Sequence, residues 1–256
     1  MSEVILERPD ERIAVIKLNR PEARNALNLP VRQTLAEHFA QLGSDDATRC
    51  IILTGGEKIF AAGADIRDMV ERTPVELFVR RTERLWRAVA DCPKPVIAAV
   101  NGYCFGGGCE LAMHCDLIIA GEGASFAQPE VRVGIMPGAG GTQRLVRAVG
   151  KFRAMKILMT GEPVSARDAL AMGLVSDVVA DDQVFAEAMR LANVIANMPP
   201  LAIMQIKEAV LAGEDSSLEA GLALERKAFQ LLFASRDQKE GMRAFLEKRK
   251  PEFEGR

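Results

Sequence analysis

Along the first 120 or so residues, apolar positions fall into short β-branched runs separated by stretches of helical spacing. "VILER" and "IAVIKLN" flank the turn residues "PDE" and predict a β-hairpin. After the loop "RPEARNALN", Val31, Leu35, Phe39 and Leu42 recur on one face of a helix over residues 30–42. "RCIILTGG", "PVIAAVNG" and "DLIIAG" are continuously apolar, as strands buried on both faces are. Residues 66–91 read as helix with an interruption expected at Pro74. A glycine cluster opens another helix near Gly107 that runs to about His114.

From about residue 150 the spacing turns helical. "KFRAMKILMTG", "SARDALAMG" and nearly all of 181–248 read as helix, and "MGLVSDVVA" holds the one strand candidate. The pattern implies an α/β core over residues 1–190 and a packed helical extension over 191–256. One internal similarity adds to this. "FAAGADI" (residues 60–66) aligns with "FGGGCEL" (residues 105–111). Each follows a strand and a glycine-containing turn and leads into a helix, which suggests a repeated strand–turn–helix unit.

Composition narrows the function classes. Apolar residues make up 48% of the chain and charged residues 27%, as in ordinary globular proteins. A net charge of −2 gives no sign of the basic face that nucleic acid requires. The apolar runs are far shorter than a membrane span needs. The odd count of five cysteines does not look like a disulfide framework, and the N-terminus lacks a secretory pattern. A reducing cytoplasm is therefore expected.

The two glycine-rich turns carry the first candidate chemistry. Glycine lets backbone approach a ligand closely, and the first N–H groups of a helix lack intrahelical acceptors. Two such turns could each offer one donor to an oxyanion. On the residues alone, tight connections between packed elements explain them equally well. Pairing by the repeat would match Ala64 with Cys109. Glu110 falls in the first turn of the helix after the glycines, among Leu111, Ala112 and Met113. Glu130 lies in the loop "SFAQPEVRVG". Carboxyls in apolar settings gain raised pKa values suited to acid–base work. A helix-dipole partner and an exposed loop residue are the plainer readings. His38 reads as solvated and His114 as a satisfied, partly buried histidine. The cysteines near His114 match no zinc spacing, so no metal site is expected.

In combination, "LNRPEARNALN", "FAAGADIRDM", "PVIAAVNGYCFGGGCELAMHCDLIIAG", "FAQPEVRVGIMPGAGGTQRL", "GLVSDVV" and "GMRAFLEKRKPEF" resemble the crotonase (enoyl-CoA hydratase/isomerase) superfamily over nearly the full length. The resemblance implies a superhelix of repeated β-β-α units with a C-terminal helical region that packs trimers, often paired into hexamers. It implies acyl-CoA thioester substrates, an enolate-type intermediate and no cofactor besides the CoA of the substrate. The implied oxyanion donors are the N–H groups of Ala64 and Gly107, not Cys109. Two glutamates mark the hydratases, here Glu110 and Glu130, with Glu110 activating water for C3 and Glu130 supplying a proton to C2. Arg24, Ala62, Asp65, Ile66 and Arg67 match positions around CoA. Lys248, Lys250 and Phe253 match residues reaching the CoA of a neighbouring subunit.

Within the family, the ending and the length resemble hydratases of short-chain enoyl-CoA and of 2,3-dehydroadipyl-CoA. A dicarboxylic acyl chain would want a cation at the far end of the pocket. Arg67, Arg72, Arg80, Arg81 and Arg84 could line that end, or could form a solvated face. An enoyl-CoA isomerase on the same fold and a non-catalytic RNA-binding member are the alternative functions.

Overall fold

A computed structural model describes residues 2–256. β1 (Val4–Asp10) and β2 (Ile13–Leu18) form the expected antiparallel hairpin. From β2 onward the chain winds through turns of one design. Each has a strand in a large sheet, a second short extended segment stacked beside it, and then a helix. The first turn is β2, the segment at Leu27, and α1 (Leu29–Ser44), whose N-cap Asn28 accepts from the Val31 N–H. The second is β3 (Cys50–Thr54), residues 60–64, and the helices α2 (Pro74–Arg80) and α3 (Glu83–Ala90). The third is β4 (Val96–Val100), β5 (Tyr103–Phe105) and α4 (Gly107–Ala112). The fourth is β6 (Leu117–Gly121), β7 (Ser125–Ala127) and a 3-10 helix, Pro129–Val133. Parallel bridges join Leu27 to Ala64 and Ala61 to Cys104, and β5 pairs parallel with β7, so the second segments stack in chain order. The expected β-β-α superhelix is therefore present.

α5 (Gly141–Val149), α6 (Lys151–Thr160), β8 (Val164–Ser165) and α7 (Ala166–Ala171) follow, and β9 (Asp177–Val179) closes a six-stranded sheet ordered β1-β2-β3-β4-β6-β9. The continuous apolar runs now have their reason. Ile13, Val15, Cys50, Ile52, Ile97, Ala99 and Ile119 bury one face of this sheet against Val184, Ala188, Ala192 and Ala196 of α8 (Val184–Ala196). Their neighbours Ala14, Ile16, Ile51, Leu53, Ala98 and Ala120 bury the other face against α1, α3 and α4. Period-two alternation with both sides covered leaves no polar position.

Two expectations need correction. Pro74 does not interrupt a helix. It stands at the start of α2, where a proline's missing N–H costs nothing, behind a capping box formed by Thr73 and Glu76. The helical register breaks instead at Arg81, which takes a left-handed conformation. α8 runs through residue 190 and packs on the sheet as far as Ala196. β8 escaped the sequence reading, being a two-residue strand.

α9 (Pro200–Glu214), α10 (Leu218–Leu232) and α11 (Arg236–Glu247) complete the chain. α9 and α10 pack on each other. Their main polar tie to the core is Lys207, whose Nζ lies 2.7 Å from Asp116 Oδ2 and 3.0 Å from the Lys94 carbonyl. Among the described residues no helix is long and apolar enough to cross a membrane, and no disulfide forms.

Candidate active site

The functional groups gather where the stacked segments turn into their helices. Gly106 has φ +51° and ψ −125°, a geometry only glycine adopts readily, and it aims the first N–H groups of α4 back toward residues 60–64. Gly108 lets α4 lie directly on that segment, since a Cβ there would stand 2.4 Å from the Ala61 carbonyl oxygen. The result is close convergence of two chain segments. A Cβ at Gly107 would lie 3.4 Å from the Ala64 nitrogen. Gly107 opens α4, so its N–H has no intrahelical acceptor, and no backbone hydrogen bond of the loop uses the Ala64 N–H. Cys109, the partner by internal repeat, is buried inside α4.

Glu110 is 3% exposed, and its Oε1 accepts from the Ala139 N–H (2.7 Å) and the Gly141 N–H (2.8 Å) at the start of α5. The carboxylate thus caps a neighbouring helix rather than its own. Among the described residues Oε2 has no hydrogen-bond partner. Burial raises the Glu110 pKa, and the two N–H donors pull it part of the way back. Glu130 sits in the first turn of the 3-10 helix and not in an irregular loop. Its pKa is pushed up to about 7, chiefly by burial; its backbone N–H opposes this and the Glu110 charge adds to it.

Gln128 holds the Glu130 carboxylate. With its amide oriented as hydrogen bonding requires, its nitrogen donates to both Glu130 carboxylate oxygens at 3.1 Å. Its amide end and Glu110 Oε1 both lie 3.0 Å from where a Gly141 Cβ would stand, so both glutamates border one space. Trp86 forms a wall. Its Cη2 is 3.7 Å from the Gly107 Cβ position, and its ring lies tilted by 31° against His114 with centroids 5.8 Å apart. His114 Nδ1 bonds the Glu110 carbonyl oxygen at 2.7 Å, and burial holds its pKa down to about 4. It is a neutral, satisfied histidine, as expected from sequence.

These groups can polarise a carbonyl with two N–H donors while two raised-pKa carboxyls flank the adjacent carbons. The chain matches the family model for enoyl-CoA hydratase/isomerase over residues 8–256.

The chain belongs to the enoyl-CoA hydratase/isomerase family.

It is 45% identical to a 2,3-dehydroadipyl-CoA hydratase of Escherichia coli over 256 residues, all of both chains. It is 48% identical to a probable enoyl-CoA hydratase of Rhizobium meliloti over 99% of each chain. An enoyl-CoA hydratase from Bacillus anthracis superimposes with a TM-score of 0.94 at 36% identity, over the whole of both chains.

The other residues expected from the family resemblance divide. Arg24 is exposed, and its carbonyl accepts from the Ala62 N–H at 3.0 Å, which places both beside Ala64. Ile66 and Arg67 are exposed just beyond. Asp65 faces inward instead, 3.4 Å from Arg20, and caps the Arg67 N–H. Lys248, Lys250 and Phe253 are not brought to this site within one chain. The Phe253 ring lies against Gly241 of α11, and its carbonyl accepts from Arg49, just ahead of β3, whereas Ala64 follows that strand. Gln128, Trp86 and the donors of Ala139 and Gly141 escaped the sequence reading. Available signals were the lone Trp on an amphipathic helix and the donor-rich turn "PGAGG".

Proposed function

We propose that the chain is an enoyl-CoA hydratase that adds water across the trans-2 double bond of a short-chain enoyl-CoA to give the 3-hydroxyacyl-CoA. The observation that carries this is the pairing of two raised-pKa carboxyls beside the converging N–H groups of Ala64 and Gly107. The thioester oxygen accepts both N–H groups as it gains charge. Glu110 Oε2 takes a proton from water as the water oxygen bonds to C3. The enolate collapses as Glu130 gives its proton to C2. The carboxyls then exchange protons with solvent to reset. An isomerase would need only one of the two carboxyls.

Exposed Arg24 and Arg67, neither paired with a carboxylate among the described residues, suit the CoA phosphates, with Ala62, Asp65 and Ile66 lining the same edge. Exposed Phe229, Leu231, Phe245 and Leu246 on α10 and α11 form apolar surface of the kind that packs against further copies of the chain. A homotrimer or a dimer of trimers would place Lys248, Lys250 and Phe253 against a neighbour. A cytoplasmic, reducing location suits the five free thiols.

A hydration assay over enoyl-CoA thioesters of graded length, run beside a 3-enoyl-CoA isomerisation assay, tests the reading. Hydration is expected to exceed isomerisation by orders of magnitude. The reverse ranking, or RNA affinity with no turnover, would overturn it.

The pH profile follows from the carboxyls. Glu130 must begin protonated, so kcat/KM is expected to fall as pH rises through about 7. Glu110 must begin ionised, so activity is also lost on the acid side, at a pH above the ordinary glutamate range. Removing Glu130 should abolish the alkaline limb; a limb that persists unchanged in Glu130→Gln would assign it to another group.

A further inference from the structure

The N–H groups of Ala64 and Gly107 are aimed by different means. The C=O and N–H of a trans peptide point in opposite directions, so a bond that fixes one also fixes the other. The Gly106 carbonyl accepts from the Glu110 N–H at 2.9 Å, an ordinary bond of α4, and this turns the Gly107 N–H out of the helix start. No helix does this for Ala64. Gly63 has φ +113° and rotates the peptide that follows it, so that its carbonyl accepts from the Leu27 N–H at 2.8 Å. The Ala64 N–H therefore points away from Leu27, toward the side on which Ala61 pairs with Cys104 and Gly107 opens α4.

That alignment depends on where the loop before α1 lies, and Asn25 fixes the loop. Arg24 and Asn25 are both left-handed, at φ +52° and +55°. Asparagine adopts this conformation more readily than most side chains. The tight bend brings the Arg24 carbonyl to the Ala62 N–H at 3.0 Å and the Leu27 N–H to Gly63. The Asn25 side chain is buried, and its Oδ1 accepts from the Arg20 N–H at 2.9 Å, which closes the loop on itself. Its Nδ2 donates to the carbonyls of Gly55 and Ile59 at 2.9 Å and of Phe60 at 3.1 Å. Among the described residues no other donor reaches any of these carbonyls. One buried amide thus ties the loop to both ends of the turn that leads to Ala64. Breaking the tie would leave several backbone acceptors unpaired, which is costly away from water.

We propose that Asn25 is a positioning residue for the reaction: it aims the Ala64 N–H at the thioester oxygen by holding the Leu27 N–H on the Gly63 carbonyl. This rests on the hydratase reading above and names what sets one half of its oxyanion hole. Asn25 touches no substrate atom, because both ends of its amide are engaged by backbone groups. Its effect belongs to the transition state, where charge on the thioester oxygen is greatest, and not to the grip on CoA.

Asn25→Gly keeps the left-handed backbone and removes the tie. Asn25→Ser keeps one hydroxyl donor and is the milder change. The probe is butyryl-CoA, isotopically labelled at its carbonyl, because a saturated thioester binds without being hydrated. In the intact protein its infrared C=O stretch is expected to fall on binding, as the N–H donors polarise the bond. In Asn25→Gly much of that fall should be lost. With it, kcat on crotonyl-CoA should drop about tenfold to a hundredfold while KM changes little, and Asn25→Ser should lie between the two. A purely structural role would lower the melting temperature and leave the stretch and kcat of the folded protein unchanged, and that result overturns the proposal. Failure of both variants to fold overturns it as well, by assigning Asn25 to the fold alone. A stretch that shifts in the intact protein and not in Asn25→Gly, without hydration of any enoyl-CoA, would support the alignment and count against the hydratase reading alone.

Discussion

Replacing Glu110 or Glu130 by glutamine is expected to lower kcat by about a hundredfold to ten-thousandfold, with the fold retained. The two substitutions remove different steps. Glutamine at 110 keeps an oxygen that can accept from the Ala139 and Gly141 N–H groups, so the turn before α5 stays in place. What is lost is the free Oε2, the only atom there able to take a proton from water. Glutamine at 130 cannot give up a proton that leaves an anion, so the step at C2 stalls. Initial-rate assays on crotonyl-CoA, with circular dichroism and melting curves as controls, measure both. Near-normal hydration by either variant would show that the pair does not act as described. A stability effect accompanies the second change. The folded state of the native chain holds the Glu130 pKa above its unfolded value, so ionising it weakens the fold progressively from about pH 4.5 to about 7. Glu130→Gln should therefore gain melting temperature relative to the native chain across that window and keep the gain above it.

Gly108→Val is expected to cost about a hundredfold to a thousandfold in kcat, by separating the Ala64 and Gly107 N–H groups proposed as oxyanion donors. A Cβ at this position would stand 2.4 Å from the Ala61 carbonyl oxygen and 2.8 Å from the Ala61 Cβ. Backbone cannot yield there without moving α4 off the segment that ends in Ala64. The same overpacking should remove about 1–3 kcal/mol of stability. Chemical denaturation reports the second effect and single-turnover rates the first. The variant tests the site through geometry alone, because residue 108 offers no side chain to any reaction. Full activity in a folded Gly108→Val protein would mean that the close approach of α4 to residues 60–64 is dispensable.

Much of this architecture could be read from residue order, and the reason is visible in the core. Strands such as Ile51–Ile52–Leu53 and Ile97–Ala98–Ala99 are buried on both faces, so their apolar runs are unbroken and easy to see. α1 shows its apolar face because one side meets the sheet and the other meets water. The second strand of each turn was harder to see. β5 and β7 are three residues long and are fixed by neighbours far away in sequence, so local propensity says little about them. The helix expected over residues 66–91 differs from the one observed because Pro74 fits a helix start as well as a break. At the site, residue types alone left Glu110 and Glu130 with plain structural readings. The decisive features are relations between distant segments: Gly107 beside Ala64, Gln128 on Glu130, and the start of α5 on Glu110. None of these is a property of a single stretch of sequence.

Trp86 is the only tryptophan in the chain, and it stands against Gly107 and His114 at the edge of the reacting space. Its indole emission therefore reports on one place only. A thioester entering beside this buried ring changes its surroundings, so intensity and wavelength should change with occupancy, without label or coupling enzyme. The chain in effect carries its own optical probe, and rapid-mixing fluorescence can time substrate arrival separately from the hydration that follows.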